Sequence, residues 1–132
     1  MARGTLTTYP EPVLRDALAF WLRVCRLEEW DVVLKLERGD VFTNKDVSGE
    51  TAILKQGLQA EILLLDPVSY QADGAACFDY DMLLTLAHEV GHIALWSWKR
   101  PERDTTDYVL YEQTVERVGR LLVQLWMRRA AT

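Results

Sequence analysis

Cysteine, proline and positive charge are all scarce in this chain, and each scarcity excludes something. Two cysteines in 132 residues, Cys25 and Cys77, make neither a disulfide framework nor a four-thiolate zinc site. Prolines number four and glycines seven, and there is no Gly/Ser linker, internal repeat or low-complexity tract. Residues 1–132 are therefore expected to form a single domain. No run approaches the ~18 apolar residues of a membrane span. The opening MARGTLTTYPEP also lacks the apolar core of a signal peptide, so a cytoplasmic setting without a membrane partner is expected. Lys and Arg total 15 against 20 Asp and Glu, a formal net charge of −5, which is the wrong sign for meeting nucleic-acid phosphates. Apolar residues, by contrast, make up 49% of the chain and include five Trp, so disorder is excluded.

The apolar residues fall into a readable order. Behind Pro10 and Pro12, the segment Val13–Leu27 carries apolar residues at helical spacing. Trp30–Glu37 alternates Val32, Leu34 and Leu36 and predicts a strand. Arg38–Glu50 is polar and glycine-bearing and predicts a loop or irregular hairpin, followed by a short strand at Thr51–Lys55. Gln59–Leu65 is a better strand, closed by Asp66-Pro67. Asp79 or Asp81 offers a cap for a helix from about Tyr80 to Trp98, ended by Lys99, Arg100 and Pro101. A last helix is expected over Tyr108–Arg129, with Val115, Val118, Leu122 and Leu125 as its core stripe. The order predicts an α+β domain, with helices packed on one side of a small twisted sheet.

The chemistry is concentrated in His88-Glu89-Val90-Gly91-His92, the pattern H-E-x-x-H. Two histidines at i and i+4 project from one helical face a turn apart, so both imidazoles can bind one Zn²⁺. Glu89 can reach a water on that metal without ligating it, and a carboxylate there can take the water's proton and pass it to a leaving amine. The chain has only two histidines. Scattered at random they would fall four apart with Glu after the first in roughly 0.1% of arrangements, so coincidence is a poor account. The plain alternative is a buried helix whose histidines are satisfied by carbonyls.

A catalytic zinc needs a third protein ligand and an open position. No third histidine exists, which leaves the carboxylates Glu102, Asp104, Asp107, Glu112 and Glu116. Glu112 and Glu116 are i and i+4 on one face of the last helix. Gly119 continues that stripe at i+7, where a missing side chain would let the helix approach its neighbour, and Gly91 offers matching relief on the other helix. The natural division gives Glu112 to the metal and Glu116 to the outer N–H of a ligand histidine. The plain alternative makes both of them solvated charges beside Arg117 and Arg120. Asp107 is the main rival ligand.

H-E-V-G-H followed by E-Q-T-V-E-R-V-G at 112–119 resembles the gluzincin zinc metallopeptidases, in particular the small ImmA/IrrE-type metalloproteases. The resemblance covers most of the chain. It implies a minimal zincin-like domain: an N-terminal helix, a small sheet, an active-site helix and a C-terminal glutamate helix. It also implies His88, His92 and Glu112 as zinc ligands and Glu89 as the catalytic base. Glu116 stands where that family carries asparagine, a departure from its pattern. The resemblance further implies that the strand before the active-site helix, Gln59, Ala60, Glu61, Ile62 and Leu63, is an open edge that receives substrate as an added strand. The alternative for that segment is an ordinary core strand.

Tyr108 and Tyr111 lie near Glu112, and either could steady an oxyanion or simply cap the core. Trp96, four residues after His92, could wall the cleft or pack. Cys25 reads as a small buried residue, and Cys77 as a remote candidate for an inhibitory thiolate. The expected function is a zinc-dependent metallopeptidase, a hydrolase acting on a protein or peptide. The alternative is a non-catalytic zinc-stabilised interaction or sensor module, in which metal binding supports a small core.

Overall fold

The computed structural model describes residues 4–43, 47–54, 57–72, 78–96 and 101–129. Expectations placed on Cys77, Trp98, Lys99 and Arg100 lie outside the described residues. Helix α1 (Glu11–Val24) starts with a proline in its first turn and buries Leu14, Ala17, Leu18 and Trp21. It ends three residues earlier than the apolar spacing suggested. Arg26 takes a left-handed conformation (φ 60°), Leu27 N–H donates to Leu22 C=O, and Arg26 N–H donates to Arg23 C=O. This is a Schellman ending built without glycine, at a cost of about 1–2 kcal/mol for the residue with a Cβ.

The sheet holds β2 (Asp31–Glu37), β3 (Gly49–Ile53) and β4 (Gln59–Leu65) in the order β2-β4-β3. β4 is parallel to β2, with Leu34 opposite Ile62, and antiparallel to β3, with Thr51 opposite Ile62. This corrects one expectation. Gln59, Ala60, Glu61, Ile62 and Leu63 are paired on both sides and so form the central strand, not an open edge. The reason is topological: β4 pairs in parallel with β2 on one side, and β3 adds to its other side. Among the described residues the open edge beside α3 is β3, paired over its full length with β4 on one side only. Leu34, Ala60, Ile62 and Leu64 are buried on the inner face, while the outer face carries the half-exposed Val33 and a Lys35–Glu61 ion pair at 3.0 Å.

Beyond β4, a short helix α2 (Pro67–Ala72) and a two-residue strand β5 (Tyr80–Asp81) precede helix α3 (Met82–Ala94). β5 lies parallel to β1 (Leu6–Thr7). Sequence reasoning missed this pairing, because two-residue strands leave no periodicity to read. Of the two aspartates proposed as caps, Asp81 takes the role: its carboxylate accepts from Leu83 and Leu84 N–H at 3.0 and 3.1 Å. Asp79 instead accepts from Thr5 N–H and its hydroxyl, fixing β1 beside β5, and these bonds hold its carboxyl below the usual range.

α3 is the hub of the structure, in contact with α1, α4, β3 and β4. Helix α4 (Thr106–Arg128) is capped by the Thr105 hydroxyl, which accepts from Tyr108 N–H at 3.1 Å. Its buried stripe is Val115, Gly119, Leu122 and Trp126. Leu125 is exposed, so the stripe is rotated from the expected one: the smallest side chain, Gly119, faces α3, and the largest, Trp126, closes the far end against Phe20. The Trp21 indole N–H donates to Leu122 C=O at 2.6 Å and ties α1 to α4. No helix among the described residues is long and apolar enough to cross a membrane.

Candidate metal centre

α3 presents His88 and His92 from one face, and α4 meets that face running in the opposite direction. Gly119 makes the approach possible. A Cβ there would lie 3.1 Å from His88 N and 3.2 Å from His88 Cα, so the backbone of α3 occupies the space a side chain would need. Gly91 does the same from the other helix, with Val115 Cγ1 at 3.2 Å and Val115 C=O at 3.3 Å from its hypothetical Cβ. The close crossing sets Glu112 between the two imidazoles. His88 Nε2 is 3.5 Å from Glu112 Oε2, and His92 Nε2 is 3.9 Å from Glu112 Oε1.

Among the described residues, His88, His92 and Glu112 form the group of His, Cys, Asp and Glu side chains that could hold a metal, with their ligand atoms all within 4.8 Å of one another. Tetrahedral zinc with bonds near 2.1 Å keeps neighbouring ligand atoms about 3.4 Å apart, so these spacings need little adjustment. The other carboxylates considered do not enter the group. Asp107 is exposed in the first turn of α4, Glu102 and Asp104 are exposed ahead of it, and Glu116 turns to the outer side of His88.

Each histidine has a partner on its other nitrogen. His88 Nδ1 lies 3.0 Å from Glu116 Oε2, and Arg120 holds the second Glu116 oxygen at 3.2 Å. His92 Nδ1 lies 3.1 Å from the Tyr111 hydroxyl. With an ion on Nε2, such contacts would fix each ring and take the Nδ1 proton, His88 Nδ1–H donating to Glu116 and His92 Nδ1–H to the Tyr111 hydroxyl oxygen. Tyr111 therefore sits as a support for His92, while Tyr108 lines the cleft beside Glu112. Burial alone would lower the pKa of His88. The Glu112 hydrogen bond, the Glu89 charge and the two contacts with Glu116 and Glu112 outweigh it, and the pKa is raised above its ordinary value.

Among the described residues, Glu89 is the one charged residue in the buried set, 6% exposed. It points away from α4 toward β3, where the Thr51 hydroxyl donates to its Oε1 at 2.7 Å. Gly49, two residues earlier on the same strand face, lets β3 come close: a Cβ there would lie 2.6 Å from Thr85 Cγ2 and 3.2 Å from Glu89 Oε2. Sequence reasoning missed Gly49 and Thr51. The period-2 face Gly49, Thr51, Ile53 could have suggested them, had β3 been recognised as the neighbour of α3.

The backbone of β3 has a free side. Leu65 N–H donates to Ser48 C=O and Leu54 N–H to Gln59 C=O, so residues 48 and 54 turn their main-chain groups toward β4. In antiparallel pairing this alternates, and the N–H and C=O of Gly49, Thr51 and Ile53 turn outward. That side lines an open cleft of about 1480 Å³ whose walls include His88, Glu89, His92, Trp96, Tyr108 and Glu112. No protein-family model, curated protein or solved structure matches the chain.

Proposed function

We propose that this chain is a zinc-dependent metallopeptidase with a minimal zincin-like architecture, hydrolysing a peptide bond in a protein or peptide substrate. The observation that carries the reading is the meeting of three elements at one point. α3 and α4 converge His88, His92 and Glu112 to ion-binding spacing, and a buried carboxylate on α3, Glu89, stands beside them against the edge strand β3. The gluzincin resemblance of H-E-V-G-H and the downstream glutamate supports the same reading.

His88, His92 and Glu112 would hold the ion, and a His₂Glu set suits zinc with a position left for solvent or substrate. Zinc bound there supplies Lewis acidity, polarising a carbonyl and bringing a water into the range where a carboxylate can deprotonate it. Everything else is done by the chain. Glu89, held by Thr51, takes the proton from the attacking water and returns it to the departing amine. Gly49, Thr51 and Ile53 offer main-chain donors and acceptors to an extended peptide, which binds by backbone and tolerates varied side chains. Tyr108, on the cleft wall, is the remaining candidate for steadying developing negative charge. The cleft exceeds the roughly 300–1,000 Å³ usual for small-molecule pockets, which favours a polymeric substrate.

The deciding experiment loads the purified protein with zinc and compares wild type with Glu89→Gln on denatured casein and a randomised decapeptide mixture. The reading expects about one zinc per chain in both proteins and cleavage only by wild type. Equal cleavage by Glu89→Gln, or failure of both proteins to take up zinc, would overturn it. Zinc uptake that stabilises both proteins without cleavage by either would point instead to the non-catalytic module.

A further inference from the structure

The two ends of the cleft differ in chemistry, and one end is built around a tryptophan. α4 runs against α3, so Tyr111 meets His92 while Gly119 meets His88. The residues ahead of Tyr111, including Tyr108 and Val109, therefore stand toward the C-terminal end of α3. Trp96 lies there, one turn past His92, and Ile53 closes β3 on the opposite wall. The other end carries Asp79, Asp81 and Glu50, each bound to nearby hydroxyl or main-chain groups.

Trp96 is 48% exposed, yet it is held in place from two directions. Its ring meets Trp30 edge to face, with centroids 5.6 Å apart. On another side the turn between β3 and β4 passes directly against it: a Cβ on Gly57 would lie 3.1 Å from Trp96 Cη2. Gly57 and Leu58 both adopt left-handed backbone, φ 69° and 59°, and for Leu58 that conformation carries a steric cost. A strained turn and a buried tryptophan thus brace an indole whose remaining face is open to the cleft. Rigid, half-exposed aromatic surface of this kind is what a binding site uses to anchor an apolar group.

We propose that Trp96, with Ile53 and Val109, forms a specificity subsite that takes a bulky apolar side chain of the substrate at one position flanking the scissile bond. The proposal rests on the peptide-binding reading of the cleft and adds the substrate class: peptides selected by an aromatic or branched aliphatic residue. Trp96 is one helical turn from a ligand histidine. A strand laid along β3 with its reacting bond near Glu89 therefore brings a neighbouring side chain onto the indole.

The test has a cleavage arm and a binding arm. In the first, zinc-loaded wild type digests the randomised decapeptide mixture, and the cleavage sites are sequenced. Expected is one flanking position enriched in Phe, Tyr, Trp, Leu, Ile or Met. Trp96→Ala should lower kcat/KM about tenfold or more for a peptide with Phe at that position and leave its Ser counterpart nearly unchanged. Trp96→Phe should keep most of the preference. Val109→Asn, at an exposed site that cannot unfold the core, should weaken it. In the second arm, zinc-loaded Glu89→Gln is immobilised and the mixture passed over it. Retained peptides should show the same enrichment, and adding Trp96→Ala should remove it. Cleavage or retention without an apolar position, or enrichment that survives both Trp96→Ala and Val109→Asn, overturns the subsite. Apolar enrichment on the column without cleavage in solution upholds the subsite and sinks the peptidase reading.

Discussion

The Thr51 hydroxyl lies 2.7 Å from Glu89 Oε1, joining the middle of an edge strand to the buried carboxylate of the helix beneath it. The pair is 38 residues apart in the chain. Under the proposed function, the strand that would pair with a peptide is also the strand whose side chain holds the base, so a substrate paired with β3 would be registered against Glu89.

Thr51→Val tests this coupling with little change of volume. A hydrogen bond to a charged group is worth about 1.5–3 kcal/mol, so losing it should cost roughly tenfold or more in kcat. Zinc content should be unchanged, because Thr51 does not touch the ligand group. Thr51→Ser should restore most of the activity. Unaltered kcat in Thr51→Val, measured by single-turnover hydrolysis, would show that Glu89 needs no support from the strand.

The proposed metal ligands can be separated from their proposed supports by affinity. Glu112→Ala removes one of the three and should abolish stoichiometric zinc in a competition titration against a chromogenic chelator. Glu116→Gln keeps a hydrogen-bond acceptor for His88 and loses the charge, and should weaken zinc by the 10–100-fold typical of outer partners. Tyr111→Phe should weaken it by less, since a phenol is the weaker acceptor of the His92 N–H. Asp107→Ala should change nothing. Zinc affinity lost in Asp107→Ala and kept in Glu112→Ala would reverse the assignment.

Much of this arrangement could be read along the helices. His88, Glu89 and His92 share a local spacing, Glu112, Glu116 and Gly119 share another, and the small residues Gly91 and Gly119 announce a close crossing. These are relationships within one turn or two, where geometry is fixed by the helical repeat. The strands were different. β3 enters the sheet outside β4, although it precedes β4 in the chain, because β2 and β4 pair in parallel and leave it the outer place. Strand order is decided by long-range packing, and no local period encodes it. The resemblance implies an edge at Gln59–Leu63, a place the structure gives to Gly49–Ile53. Thr51 was missed for the same reason, since its role exists only once β3 lies over Glu89.

The helix crossing predicts an asymmetry between its two glycines. In Gly119→Ala the new methyl would press on the main chain of His88 and Ala87, which cannot move aside without shifting α3. Overpacking of about 1–3 kcal/mol outweighs the ~1 kcal/mol that alanine gains over glycine in a helix, so the melting temperature should fall. Zinc affinity should fall with it, because Glu112 retreats from both imidazoles as the helices part. In Gly91→Ala the obstacles are Val115 Cγ1 at 3.2 Å and Val115 C=O at 3.3 Å, a little farther off than the main chain met at Gly119, so both losses should be somewhat smaller. Thermal unfolding with and without zinc measures the two effects together, and a larger loss in Gly91→Ala would contradict the crossing described here.

Acidity should affect the metal-free and zinc-loaded proteins in opposite directions. The pKa of His88 is raised in the fold, mainly by Glu112 and Glu89 overcoming the effect of burial. A raised pKa means that the folded metal-free protein holds the His88 proton more tightly than the unfolded chain. Its contribution to stability is then fully present below the unfolded value, near 6.5, and is lost as the pH rises through the higher folded value. Zinc needs the same nitrogen deprotonated, so protons compete with the ion. The rise in melting temperature produced by zinc over a chelator-treated control should therefore be large at pH 8 and shrink steadily as the pH falls below the raised His88 value. In His88→Gln the zinc increment should be small at every pH, because the ligand itself is gone. A zinc increment in wild type that stays constant from pH 8 to pH 5.5 would mean that the ion is held by groups other than these imidazoles.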